Sequence, residues 1–304
     1  MDNKCLICNQ EFTERSHFWK NHKIKEADYY EKYYPRHDLL TNEIITFKSV
    51  ESYQLTDFTD KRNLRKYLES LSTNGEVFGY LIASLFRRKE LKDLQFAPSE
   101  FEIKSLMFPS IKYIEEKYGE KTYKFICKNA GLLVRYIYEA NPESFYDDKD
   151  LVYICDTREQ NILKLPNMQI AKLDFGDYTV EKSNVFIERK SLNDLVGTLS
   201  GGYERFHREI DRCVSNDKQL IVLIEEKYQN ILSFNYLPHM RYSKCSPDFI
   251  FHRIRELLNK YPLNLQFLAV DGRKEAVRVL KKIFNLGYNI NTLDLQFLYN
   301  KEKL

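Results

Sequence analysis

In the carboxy-terminal half of the chain, acidic residues stand at or beside short apolar runs, and this restricts what the chain can fold into. Leu151-Val152-Tyr153-Ile154-Cys155 ends at Asp156, with Arg158 and Glu159 just beyond. Gly176-Asp177 lies in the stretch Phe175 to Val180, and Asn184 to Lys190 closes on Glu188-Arg189-Lys190, with Asp194 soon after. These last two stretches read as a pair of short strands. Carboxylates at the ends of adjacent buried strands repel one another unless a cation sits between them. Hard divalent ions take oxygen ligands and join carboxylates to phosphate. The pattern therefore predicts metal-assisted phosphodiester hydrolysis.

The same residues resemble a known family. Asp156-Thr157-Arg158-Glu159, then Gly176-Asp177, then Glu188-Arg189-Lys190 with Asp194 fill the order D-x-R-E, G-D, E-R-K, three residues, D. From Ile154 to Cys213 the chain is similar to the nuclease domain of the XPF/Hef-type structure-specific endonucleases. The resemblance implies an α/β, restriction-endonuclease-like domain over residues 150–290, a mixed sheet flanked by helices. Members usually carry a carboxy-terminal tandem helix-hairpin-helix; only Gly287 to Leu304 follows the last expected helix, and no helicase P-loop is present. DNA engagement is accordingly expected from the amino-terminal half.

Charge assigns the roles. Asp156, Asp177 and Glu188 are the candidate ligands for Mg²⁺ or Mn²⁺, with the Arg189 carbonyl as a further oxygen. Lys190 lies two residues beyond Glu188, on the same strand face, where it can orient or deprotonate water and neutralise transition-state charge. Arg158 and Arg189 suit phosphate oxygens, and Glu159 is a supporting carboxylate. Ser191-x-x-Asp194 has capping-box spacing, which accounts for Asp194 without catalysis. After Gly201-Gly202, Tyr203 and Arg205 are candidate DNA contacts. An ordinary buried ion-pair network would explain Lys190 with Glu188, but not the convergence of Asp156 and Asp177.

Residues 1–40 carry a second metal pattern. Cys5-x-x-Cys8, eight residues, then His17-x4-His22 offer two thiolates and two imidazoles for tetrahedral Zn²⁺. Phe12 with Phe18 or Trp19 would form the small core, and His37 is a substitute for His17. The stretch resembles short zinc fingers at the amino ends of phage and mobile-element proteins.

Residues 55–145 read as a helical module. Apolar spacing predicts a helix from Leu64 to Leu94 through Tyr67, Leu68, Leu71, Val77, Tyr80, Leu81 and Leu85. Pro98-Ser99, Pro109-Ser110, Tyr118-Gly119 and Asn129-Ala130-Gly131-Leu132 resemble the homing-endonuclease-associated repeat. That resemblance implies Lys112, Lys117, Lys121, Lys124 and Lys128 on a phosphate-facing surface. Asn141-Pro142 through Asp150 reads as a linker. The later pattern predicts helices at Ser191, Tyr203–Val214, Pro247–Tyr261 and Lys274–Leu286, and strands at Gln219–Ile224 and Leu265–Val270.

The formal charge of +3 is too small to establish a nucleic-acid partner. Residues 61–140 hold 15 Lys plus Arg against 10 Asp plus Glu, while residues 1–50 balance at 8 and 8. A mildly basic middle is compatible with phosphate contacts. No run reaches the roughly 18 apolar residues of a membrane span, and no secretory signal opens the chain. An intracellular protein of phage, prokaryotic or mobile-element origin is expected, with DNA, duplex or branched, as partner and homodimerisation left open. The leading reading is a site-directed DNA endonuclease. The alternatives are a structure-specific nuclease for flaps and forks, and a DNA-binding regulator without catalysis.

Overall fold

The computed structural model describes residues 4–14, 16–35, 68–103, 106, 108–136, 142–233 and 247–304. His37, Leu64, Tyr67 and Asn141 lie outside them. The chain divides into two compact units. One holds residues 1–93, 107–109 and 129–131; the other holds 94–106, 110–128 and 132–304. The expected helical module 55–145 is therefore shared between the two.

In the first unit, α1 (His17–His22) and α2 (Glu26–Tyr33) follow a Cys5–Cys8 turn. Phe18 is fully buried and stacks on Tyr29 at 4.1 Å between ring centroids, while Trp19 remains 58% exposed. Phe18, not Trp19, is thus the core residue, and Tyr29 and Tyr30 of α2 complete that core. The helix expected from Leu64 to Leu94 is interrupted at residues 71–73, and α3 runs Asn74–Lys92. The Thr73 side chain accepts from the Glu76 N–H while the Glu76 carboxylate accepts from the Thr73 N–H. This reciprocal cap starts a new helix where periodicity alone suggested continuity.

The second unit begins with α4 (Glu100–Ile103), α5 (Ile111–Tyr118) and α6 (Thr122–Asn129), the last but for its final residue. A six-stranded sheet follows, built from β1 (Tyr153–Asp156), β2 (Met168–Ala171), β3 (Tyr178–Val180), β4 (Val185–Lys190), β5 (Gln219–Ile224) and β6 (Leu265–Ala269). Its order is β2-β1-β3-β4-β5-β6, antiparallel on either side of β3 and parallel elsewhere. β5 is buried along its whole length, as its sequence QLIVLI requires of an inner parallel strand. The helices α7 (Leu192–Leu199), α8 (Tyr203–Ser215), α9 (Tyr228–Ser233), α10 (Pro247–Lys260), α11 (Arg273–Leu286) and α12 (Leu295–Asn300) complete the unit. This is the mixed sheet flanked by helices that the sequence predicts. Its main core gathers Leu195, Phe206, Ile210, Val222, Ile254 and Phe267, and Phe101 of α4 belongs to the same cluster.

Candidate active site

The β3–β4 hairpin positions the site. Gly176 takes φ +57°, and a Cβ there would fall 2.8 Å from the Ile187 carbonyl oxygen. Glycine alone makes that turn comfortably. It lets the Asp177 N–H donate to the Ile187 carbonyl at 2.8 Å, while Asp177 Oδ2 accepts from the Arg189 N–H at 2.7 Å. The carboxylate is thereby fixed beside Glu188. Lys190 Nζ donates to Glu188 Oε1 at 2.8 Å and lies 5.4 Å from the centre of the Phe206 ring. Only 9% of Lys190 is exposed, so its charge acts in a partly dry setting.

Asp177, Glu188 and Lys190 line a cleft of about 700 Å³ together with Arg158, Glu159 and Arg189. Asn193 and Thr198 of α7 and Arg205 of α8 also line it. Burial, and then the charge of Glu188, push the Asp177 carboxyl well above the ordinary carboxylate range. Glu209 on α8 is raised in the same direction, by burial first and Glu188 next. Carboxylates crowded in this way are relieved by a cation, and their oxygens are the donors that Mg²⁺ or Mn²⁺ takes.

The structure does not bring Asp156 into this cleft. Although the Asp156 N–H donates to the Asp177 carbonyl at 2.8 Å, its side chain is 1% exposed and engages the loops after β1 and β2. There it accepts from the N–H groups of Leu173 at 2.6 Å and Arg158 at 2.7 Å, and from the Arg158 guanidinium at 2.7 and 3.0 Å. Arg158, first among the causes, holds the Asp156 carboxyl down to about 2. Glu159 instead lines the cleft. Arg189, expected on phosphate, is engaged with protein: Glu225 takes Nε and Nη2, and Glu159 and the Asn161 carbonyl take Nη1. Sequence reasoning missed Glu225, although it closes the apolar run Leu220–Ile224 just as Asp156 closes Leu151–Cys155.

The other expected residues are dispersed. Asp194 lines the cleft and also pairs with Ser191, whose hydroxyl caps α7. Tyr203 turns to α10, where its hydroxyl donates to Glu256 and the Arg253 guanidinium lies 4.1 Å from its ring centre. Lys112 donates to the Asn300 carbonyl at 2.9 Å. Lys117, Lys121, Lys124 and Lys128 are exposed, in company with Glu116 and Glu120.

The finger residues do converge. The ligand atoms of Cys5, Cys8, His17 and His22 all lie within 4.8 Å of one another. Among the described residues no three carboxylates of the cleft close up in that way. Cys5 Sγ is 3.4 Å from His22 Nε2, and Cys8 Sγ is 3.5 Å from His17 Nε2. A tetrahedral shell with the usual Zn–S and Zn–N bonds has a sulfur–nitrogen edge of about 3.5 Å, so the donor set fits zinc.

Comparison with curated proteins finds no match. Among solved structures the chain is similar to XPF from Aeropyrum pernix, at 18% identity, covering 45% of this chain and 67% of that one with a TM-score of 0.35. Residues 155–283 match the family model described as the ERCC4 domain, a span that takes in Asp156, the hairpin, Lys190 and the helices that close the cleft. The motif order on the sheet thus falls within the residues that match the ERCC4 domain.

Proposed function

We propose that the protein is a divalent-metal-dependent DNA endonuclease that cuts at junctions between paired and unpaired strands. The observation that carries this is the cleft itself, where Asp177 and Glu188 crowd beside a buried lysine. Asp177, Glu188 and Glu159 would hold Mg²⁺ or Mn²⁺, which supplies Lewis-acid stabilisation of charge developing on the phosphate oxygens. Lys190, kept in place by Glu188 and Phe206, neutralises charge on the side of the attacking water. Arg205 and Arg158, both exposed at the cleft, are the residues we assign to the DNA backbone. Zn²⁺ in the Cys5, Cys8, His17, His22 group would fix the finger.

Junction-directed cutting is favoured because residues 94–106 and 110–128 belong to the nuclease unit, and Lys112 is turned onto a backbone carbonyl. That leaves less of a free-standing module to read duplex sequence. A second reading, cutting at a defined duplex site, is supported by the finger in the other unit. A panel of flap, fork and plain duplex oligonucleotides with Mg²⁺ or Mn²⁺ separates them. Cutting that follows the junction whatever its sequence supports the first; sharp cutting at one duplex sequence supports the second. Asp177→Asn is expected to lower cleavage at least about 100-fold with the fold intact. If the wild type cut none of these substrates with either metal, a non-catalytic DNA-binding role would replace both.

A further inference from the structure

We infer that Glu225 and Arg273 are positioning residues that clamp the loop after β1 and thereby set Glu159 at the cleft; this rests on reading that cleft as a metal-dependent nuclease site. Neither residue lines the cleft. Glu225, immediately after β5, grips the Arg189 guanidinium in bidentate fashion, at 2.6 Å to Nε and 3.0 Å to Nη2. The remaining nitrogen, Nη1, reaches forward to the Asn161 carbonyl at 2.8 Å and to Glu159 Oε1 at 3.3 Å. Arg273, the first residue of α11, donates through Nη2 to the carbonyls of Asn161 at 2.9 Å and Ile162 at 2.7 Å. Two arginines from separate elements therefore meet on one carbonyl of this loop.

The geometry gives the clamp a direction. Asn161 N–H donates to Glu159 Oε1 at 2.7 Å, so the contact with Arg189 and this turn both fall on Oε1. Oε2 carries neither of them. The side chains of Arg189, Glu159 and Glu225 are only 12 to 13% exposed. Withdrawing an Arg–Glu pair from water costs desolvation that its own attraction barely repays, so stability is a weak reason for it. A pair that fixes a ligand carboxylate has a stronger one, because groups behind a ligand set both its orientation and its charge.

The test is Mn²⁺ binding to the full-length chain, followed by the electron paramagnetic resonance signal of free Mn²⁺. Glu225→Gln is expected to weaken binding about 10-fold or more, with Glu159→Gln weaker still. The double variant should bind no worse than Glu159→Gln alone, since both changes act on one carboxylate. Cleavage by Glu225→Gln should recover toward wild type as metal is raised. Wild-type affinity in Glu225→Gln, or a double-variant loss equal to the product of the single losses, would overturn the clamp. Should Glu225→Gln fail to fold, Arg273→Gln, at an exposed position, carries the same expectations. Absence of Mn²⁺ binding by the wild type, or unchanged binding in Asp177→Asn, would sink the metal-site reading, and the clamp with it. A failure of the clamp alone leaves Asp177→Asn impaired.

Discussion

Asp156 and Asp177 hold equivalent places in the motif and opposite electrostatic positions in the fold. Asp177 is raised by burial and by Glu188, whereas Asp156 is lowered by Arg158 and by two backbone N–H groups. A carboxyl held below its unfolded value stabilises the fold above about pH 4 and loses that contribution as pH falls through about 2. With the Arg158 side chain 68% exposed, the pair is screened, and about 1–2 kcal/mol is a fair scale for the whole set of contacts. Asp156→Asn is thus expected to lower the melting temperature by several degrees at pH 7, and the gap to wild type should close between pH 4 and pH 2. Circular dichroism melts across that range measure it; a gap independent of pH would show that the carboxylate charge is not the cause. At saturating metal this variant should keep far more cleavage than Asp177→Asn. The motif spacing revealed that acids gather here. Which acid turns inward was not legible, because the Leu173 N–H that captures Asp156 comes from a loop with no local signature.

At the scale of elements, the hairpin was legible because Gly176-Asp177 and the apolar β4 run both mark it. The edge strand β2 was not: Met168–Ala171 is short, and three of its four residues are exposed, so no alternation announces it. The restart of α3 was written in Thr73-x-x-Glu76, but apolar periodicity ran across it. Gly176 is where one atom decides an element. Alanine there would combine a left-handed φ with a Cβ 2.8 Å from the Ile187 oxygen, a backbone atom that cannot yield cheaply. Gly176→Ala is expected to destabilise by about 1–3 kcal/mol and to lower cleavage, since Asp177 hangs from the same turn. Gly201→Ala, with no atom within 4 Å of the added carbon, is the control and should be nearly neutral. Urea denaturation of the two variants compares them directly; equal midpoints would remove the turn from the argument.

For the whole molecule, the boundary read at residues 141–150 rested on local polarity, whereas a boundary is set by long-range contacts. The polar segment itself is tied down: the N–H groups of Phe145 and Tyr146 donate to the Asn285 carbonyl, and Lys281 pairs with Asp148 at 2.7 Å. Upstream, Phe101 packs with Tyr228, Phe251 and Phe267, and the Tyr228 hydroxyl donates to the Phe101 carbonyl. Buried carboxylates join the same segment to the carboxy-terminal helix. Asp294 accepts from the Glu100 N–H at 2.7 Å, and Glu100 accepts from Asn300 at 2.9 Å. Removing a buried phenylalanine costs about 3–5 kcal/mol, and each buried polar group left without its partner about 1–3 kcal/mol more. The sum approaches the roughly 5–15 kcal/mol by which a domain is stable. A fragment of residues 94–304 should therefore melt cooperatively and retain metal-dependent cleavage, while one of residues 146–304 should aggregate or melt without a transition. The full chain should carry stoichiometric zinc and the 94–304 fragment none, which a metal assay on the same samples reads. Cooperative melting of 146–304 would place the boundary back at the polar segment and make the helices from α4 to α6 an accessory to the nuclease. Failure of 94–304 alone would mean that the amino-terminal unit is itself needed to hold the nuclease together.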